Sequence, residues 1–184
     1  MKAYFKTILL AAVLVLVLAG AWFLYPRLAA RYAPESAPAV PQSDAIPAPD
    51  AVLYDSAFQR MNLSDFRGKP VVLNFWASWC GYCVAELPAF ETLAAEYGDR
   101  VQFLILDVAD GIRESIELAE ELYEERGFTF PLYYDGGEMA NVFGVRGLPM
   151  TFFLDAEGNV QRVQDGSLNE ELLRTYIEEL IGDT

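Results

Sequence analysis

Three regimes of hydropathy follow one another along the 184 residues. Residues 7–26, TILLAAVLVLVLAGAWFLYP, are uncharged and apolar on every side of a helix, and their length matches the ~20 residues that cross a bilayer. Residues 33–50 then place Pro34, Pro38, Pro41, Pro47 and Pro49 among small residues with almost nothing large to bury. Such a stretch reads as a semi-extended Pro/Ala-rich linker over 27–50, with no packed structure. From residue 51 onward the pattern turns to that of a folded domain. The runs 70–77 (PVVLNFWA) and 100–108 (RVQFLILDV) are β-rich and alternate little, as strands buried on both faces do, and they predict a covered, largely parallel sheet. Between them Leu87, Phe90, Leu93, Ala94 and Tyr97 recur at helical spacing and Gly98 closes the pattern, which makes one right-handed strand–helix–strand unit.

An acidic helix is predicted next, over 112–125, with Ile112, Ile116, Leu122 and Tyr123 as its apolar positions, followed by a short strand at 130–134. Residues 150–164 read as an antiparallel, edge-ward hairpin whose turn contains Gly158 and Asn159. A last helix is predicted to start at Ser167, with Glu170 completing a capping box and Leu168, Leu172, Leu173, Tyr176, Ile177 and Leu180 on its buried side. Residues 52–69 offer short strands and turns. The sum is an α/β domain over 51–184, without an internal repeat, a Gly-rich phosphate loop or a heptad.

Charge refines where this domain works. Lys2 and Lys6 precede the apolar span, which orients residues 1–6 to the cytoplasm and the domain outside it, although Arg27 and Arg31 weaken the asymmetry. The span is taken as an uncleaved signal anchor in the cell membrane; the alternative is secretion after cleavage near Ala21, at the small-x-small step Ala19, Gly20, Ala21. The linker would hold the domain off the bilayer while keeping it near membrane partners. The full chain carries a formal charge of -14, and residues 51–184 hold 24 acidic and 9 basic side chains, a balance that disfavours nucleic acid and anionic lipid headgroups. The acidic run 114–125 reads as a solvated helix face.

The chain has two cysteines, Cys80 and Cys83, and no histidine. Zinc wants four ligands, haem attachment wants a histidine after the second cysteine, where Val84 stands, and a Cys–His nucleophile wants an imidazole. No metal or cofactor is therefore expected. A purely structural disulfide would close too short a loop to remove much chain entropy. Position favours redox chemistry instead, because Cys80 follows a buried strand and Gly81 and Tyr82 begin a helix whose unpaired N–H groups and dipole favour a thiolate. In such motifs the thiol pKa falls from ~8.5 to between ~3.5 and ~7.5. Cys80 is then the attacking thiol and Cys83, nearly a turn further in, the resolving one.

The stretch FWASWCGYC at 75–83, together with GVRGLPMTFFLDAEGNV at 144–160, resembles the thioredoxin superfamily, and within it the membrane-anchored TlpA/ResA-like thiol-disulfide oxidoreductases, over residues 53–181. The resemblance implies a thioredoxin-like fold, a central mixed β-sheet flanked by helices. It implies a cis-proline at Pro149 beside the sulfurs, with Leu148, where Thr is often found, offering backbone hydrogen bonds to a bound client. Trp79, implied to shield Cys80, and Tyr82, which replaces the more common Pro, complete the client-binding face; for Trp76 simple core packing is equally consistent. Asn74 stands where thioredoxins have a buried Asp and cannot relay a proton. Glu86, three residues after Cys83, is implied to assist that thiol, and Pro88 is expected to bend the helix. By this resemblance the chain is a reductase of extracytoplasmic protein disulfides, of the cytochrome c maturation or oxidised-protein repair type, re-reduced by a CcdA/DsbD-like membrane electron donor. The alternatives are a disulfide-forming oxidant using the same residues, a thiol peroxidase of the redoxin group, which VLNFWASWC loosely resembles, and a non-enzymatic module that holds client peptides beside residues 148–150.

Overall fold

The computed structural model describes residues 46–109 and 112–182. The expected cytoplasmic segment 1–6, the anchor 7–26 and linker residues 27–45 lie outside the described residues. Among the described residues no helix is long and apolar enough to cross a membrane.

In chain order the elements are β1 (Ile46–Pro47), β2 (Val52–Tyr54), β3 (Arg60–Asn62), a 3-10 turn (Leu63–Phe66), β4 (Val71–Trp76), α1 (Gly81–Tyr97), β5 (Gln102–Asp107), α2 (Ile116–Arg126), β6 (Leu132–Asp135), α3 (Met139–Val142), β7 (Met150–Leu154), β8 (Asn159–Asp165) and α4 (Glu170–Gly182). The described strands form one sheet in the order β1-β8-β7-β4-β5-β6-β2-β3. β4, β5 and β6 are mutually parallel, and the flanking pairs are antiparallel. The sheet is thus mixed, parallel only at its centre, which is where the unbroken apolar runs fall.

All six residues of β4 are buried because each face of the strand meets its own apolar layer. Val72 and Trp76 join Cys83, Leu87, Phe90, Leu93 and the α4 residues Leu173 and Ile177 on one side. Val71, Leu73 and Phe75 join Leu104, Leu106 and Phe152 on the other. Side chains alternate along a strand, so Asn74 shares the face of Val72 and Trp76 and looks toward α1. A polar residue at that place is either a defect or part of a device. Truncating one of the fully buried partners, such as Leu87→Ala, would cost ~2–5 kcal/mol.

Three element boundaries differ from expectation. The end of the linker is not free: Ile46 and Pro47 pair with Val160 and Asn159, and Ala48 N–H donates to the Gly158 carbonyl at 2.9 Å. Pro47 is tolerated there because β1 is an edge strand. β8 accordingly lies one strand in from the edge. The acidic helix begins at Ile116, not Ile112, because Ser115 caps it, its hydroxyl facing Leu118 N–H at 3.4 Å; Ile112 is 90 % exposed. The last helix begins at Glu170, because Asn169 Oδ1 accepts from Leu172 N–H at 2.8 Å and so caps it there. α1 runs continuously through Pro88.

Candidate active site

Strand β4 delivers the chain at full burial to Ala77, and a tight turn, with Cys80 N–H donating to the Ala77 carbonyl at 3.1 Å, swings it into α1. Cys80 is the N-cap of α1: its backbone is extended (φ -87, ψ 99), and its Sγ accepts from Cys83 N–H at 3.2 Å. Cys80 and Cys83 are disulfide-bonded with 5.2 Å between their Cα atoms. Cys83 is fully enclosed, and Cys80 retains 6 % of its surface. The sulfur that meets solvent is therefore the one placed at the helix N-terminus, where backbone N–H groups stabilise negative charge once the bond is opened.

One turn below Cys83 on the same helix face lies Glu86, 2 % exposed. Its Oε1 accepts from Asn74 Nδ2 at 2.9 Å and its Oε2 from Leu168 N–H at 2.8 Å. Burial pushes its pKa up from 4.5 to about 7, against the opposing pull of those two hydrogen bonds. Asn74 Nδ2 also donates to Thr151 Oγ1 at 3.0 Å, and Thr151 is fully buried. A single carboxyl thus joins β4, α1, β7 and the approach to α4. Asn74 has no acidic proton to relay, but its amide holds the Glu86 carboxyl in place.

Leu148–Pro149 is a cis peptide bond. Met150 registers against Phe75, so Pro149 stands beyond the last β7–β4 pair, at the end of β4 that leads into the cysteine turn. Pro149 is buried, and its carbonyl accepts from Gly166 N–H at 3.0 Å; Leu148 is half-buried. Trp76 is enclosed in the same apolar layer as both cysteines, which is core packing. Trp79 remains 45 % exposed, with the Arg113 guanidinium 4.1 Å from its ring centroid, and Tyr82 is 74 % exposed. Beside Trp79 a groove of about 590 Å³ opens, walled by Val108, Arg113, Val145, Arg146 and Leu148.

Two features of this region escape sequence reasoning. Glu114, 1 % exposed, accepts from Ser78 N–H at 3.0 Å and Ser78 Oγ–H at 2.7 Å, pinning the turn just before Trp79. Thr151 enters only through its bond to Asn74. The Ser115 cap was the available signal for Glu114, since a residue before a helix start is freer to turn inward than one on the solvated helix face.

Residues 45–163 match the model of the AhpC/TSA family. The thiol-disulfide oxidoreductase ResA of Geobacillus thermodenitrificans is 35 % identical over 136 residues, 72 % of this chain and 75 % of that one. ResA of Bacillus subtilis is 32 % identical over 136 residues, 73 % of this chain and 74 % of the relative. Among solved structures, the exposed lipoprotein thioredoxin of Streptococcus pneumoniae superimposes with a TM-score of 0.61 at 31 % identity, over 72 % of this chain and all of that one.

Proposed function

Because the chain belongs to the thioredoxin-like AhpC/TSA family, and within it stands with the ResA thiol-disulfide oxidoreductases, we propose that it reduces disulfides of client proteins outside the cytoplasm through Cys80 and Cys83. The observation that carries this reading is the disulfide capping α1 directly above a buried carboxyl whose proton affinity lies near neutrality.

The steps balance as a two-electron exchange. The Cys80 thiolate attacks one sulfur of a client disulfide, forming a Cys80–client bond and releasing the other client sulfur as thiolate. Glu86, whose proton affinity burial raises toward neutrality, accepts the Cys83 proton. The Cys83 thiolate then attacks Cys80, closes the disulfide seen here and releases the second client thiolate. The client gains two electrons and the chain loses two. The backbone at Leu148 and Pro149, with Trp79 and Tyr82, supplies the face on which the client strand lies.

We place the domain on the outer side of the cell membrane, held by the span 7–26 and the linker after it, and re-reduced there by a CcdA/DsbD-like dithiol protein of the membrane. A tethered dithiol near such a donor suits the reduction of apocytochrome c or of oxidised proteins. Rapid alkylation of thiols in living cells of the native host tests the direction: Cys80 and Cys83 should be recovered mostly as dithiol. Recovery mostly as disulfide would show an oxidant instead, and peroxide turnover that survives Cys83→Ser would show a peroxidase.

A further inference from the structure

We propose that the groove beside Trp79 and Leu148 selects client segments bearing an acidic side chain close to their disulfide, and that Arg146 reads that charge. This inference rests on the disulfide-reductase reading above and names the class of client it would favour.

Two basic side chains and one acidic one line the groove beside Trp79, the reverse of the balance in the chain. The protein carries -14 overall, and residues 51–184 hold 9 basic side chains, yet two of these, Arg113 and Arg146, line the groove beside Trp79, the residue next to Cys80. Two of the other basic side chains meet the protein's own acids: Arg162 meets Glu179 at 2.7 Å and Arg174 meets Glu96 at 2.6 Å. Arg146 is exposed and has no hydrogen bond, ion pair or ring contact among the described residues. Arg113 lies over the Trp79 ring, so that its charge is held at the groove wall.

The acid that lines the groove is turned away from it. Asp135 is 5 % exposed, and its two oxygens accept from Gly137, Glu138, Met139 and Ala140 N–H groups at 2.8–3.1 Å, closing the turn into α3. Its hydrogen-bonding capacity is consumed inside the fold, whereas that of Arg146 is offered outward.

Arg146 also has the right place in the chain. It precedes Leu148 by two residues, so a client strand aligned along Leu148 and Pro149 passes within roughly 7 Å of it, the length of two residues of extended chain. A guanidinium presents paired donors that match a carboxylate, and the half-open groove, of about 590 Å³, leaves room for a side chain beside the strand. Val108, Val145 and Leu148 supply apolar walls for its stem.

The two fields make opposite predictions, which sharpens the test. The net charge of the whole domain repels acidic peptides and attracts basic ones. The local pair at the groove does the reverse. Full-length reduced protein is presented with short peptides closed by one internal disulfide and differing only in whether Asp or Lys flanks the cysteines. The wild type should reduce the Asp peptide with a kcat/KM about fivefold higher at low salt, the effect of one part-exposed ion pair, and the advantage should fade toward unity at high salt. Arg146→Glu should invert the order, whereas Arg67→Glu, at the end of β4 opposite Cys80, should leave it unchanged. A wild type that prefers the Lys peptide, or an order that Arg146→Glu does not shift by more than about twofold, overturns the inference while leaving the reductase intact. Failure to reduce either peptide overturns the reductase reading and the inference with it. The salt dependence is measured on the wild type alone, so it stands even where a variant folds poorly.

Discussion

Inward of the Cys80–Cys83 bond, Cys83, Asn74, Glu86 and Thr151 occupy a space where no side chain is more than 2 % exposed, and every contact between the polar ones has a named donor. Outward of it, Trp79 and Tyr82 show 45 % and 74 % of their surface, and two arginines line the groove beside Trp79. The difference separates two tasks. On the mechanism proposed above, moving a proton on and off Cys83 calls for a carboxyl taken out of water, since desolvation is what raises its affinity to the working range. Meeting a client calls for surface that is still in water. The step from β4 into α1 joins the two sides, with Cys80 at the N-cap keeping 6 % of its surface and Cys83 inside the helix keeping none.

The comparison breaks most sharply at Cys83. Replacing it with Ser leaves the outer side whole and removes the intramolecular attack, which a neighbouring sulfur performs at a very high effective concentration. Turnover of a protein disulfide should fall by ~10³ or more, with the client accumulating on Cys80 as a mixed disulfide visible on non-reducing gels. Turnover within tenfold of wild type would mean that the inner sulfur does not resolve the intermediate.

The next test concerns Glu86 and has a sign. Its folded pKa, about 7, lies above the ordinary 4.5, so the native oxidised protein holds this proton more tightly than the unfolded chain does. The resulting stability is complete below pH 4.5, is lost as pH rises through 7, and amounts to ~3 kcal/mol at ~1.4 kcal/mol per tenfold in proton affinity. Urea unfolding at pH 5 and pH 8 should show the wild type losing more stability over this interval than Glu86→Gln, by about that amount. Equal pH slopes in the two proteins would place the carboxyl in water and erase the contrast between the sides.

How much of this was legible beforehand follows the range of the interactions. β4 and α1 announce themselves because a strand covered on both faces tolerates almost nothing polar and because the α1 apolar positions recur every three or four residues. The pair of cysteines and the cis-proline strand were legible as motifs. The Asn74–Thr151 bond spans 77 residues and depends on the register of β4 against β7, which no local pattern encodes. The start of α4 lies at Glu170 instead of Ser167, with Asn169 Oδ1 accepting from Leu172 N–H, while Leu168 N–H reaches Glu86 across 82 residues, a contact that no local pattern encodes. Glu114 was lost among its acidic neighbours: composition marks the run as solvated, and the cue that one member turns in toward Ser78 was its place just before the cap at Ser115.

Thr151 offers a smaller perturbation confined to the inner side. Thr151→Val keeps the shape and deletes the hydroxyl that accepts from Asn74 Nδ2, leaving a buried donor with one partner fewer at a cost of ~1–2 kcal/mol. Chemical denaturation should register that loss, while the affinity for a peptide docked on the outer face should stay the same. A change of peptide affinity without a loss of stability would show that the two sides are coupled through β7.

Tyr82 gives the smallest effect and the cleanest reading of the outer side. Its ring is 74 % exposed and has no hydrogen bond or ring contact among the described residues, so folding gains little from it. Tyr82→Ala should leave the unfolding free energy within about 0.5 kcal/mol of wild type. If the ring is client surface, kcat/KM for a protein disulfide should drop about fivefold, the ~1 kcal/mol typical of an ordinary interface side chain, while reduction of a small neutral disulfide, which never reaches the ring, stays constant. A loss shared equally by the protein and the small disulfide would locate the effect at the sulfur itself, and the outer side would then be part of the chemistry instead of the recognition.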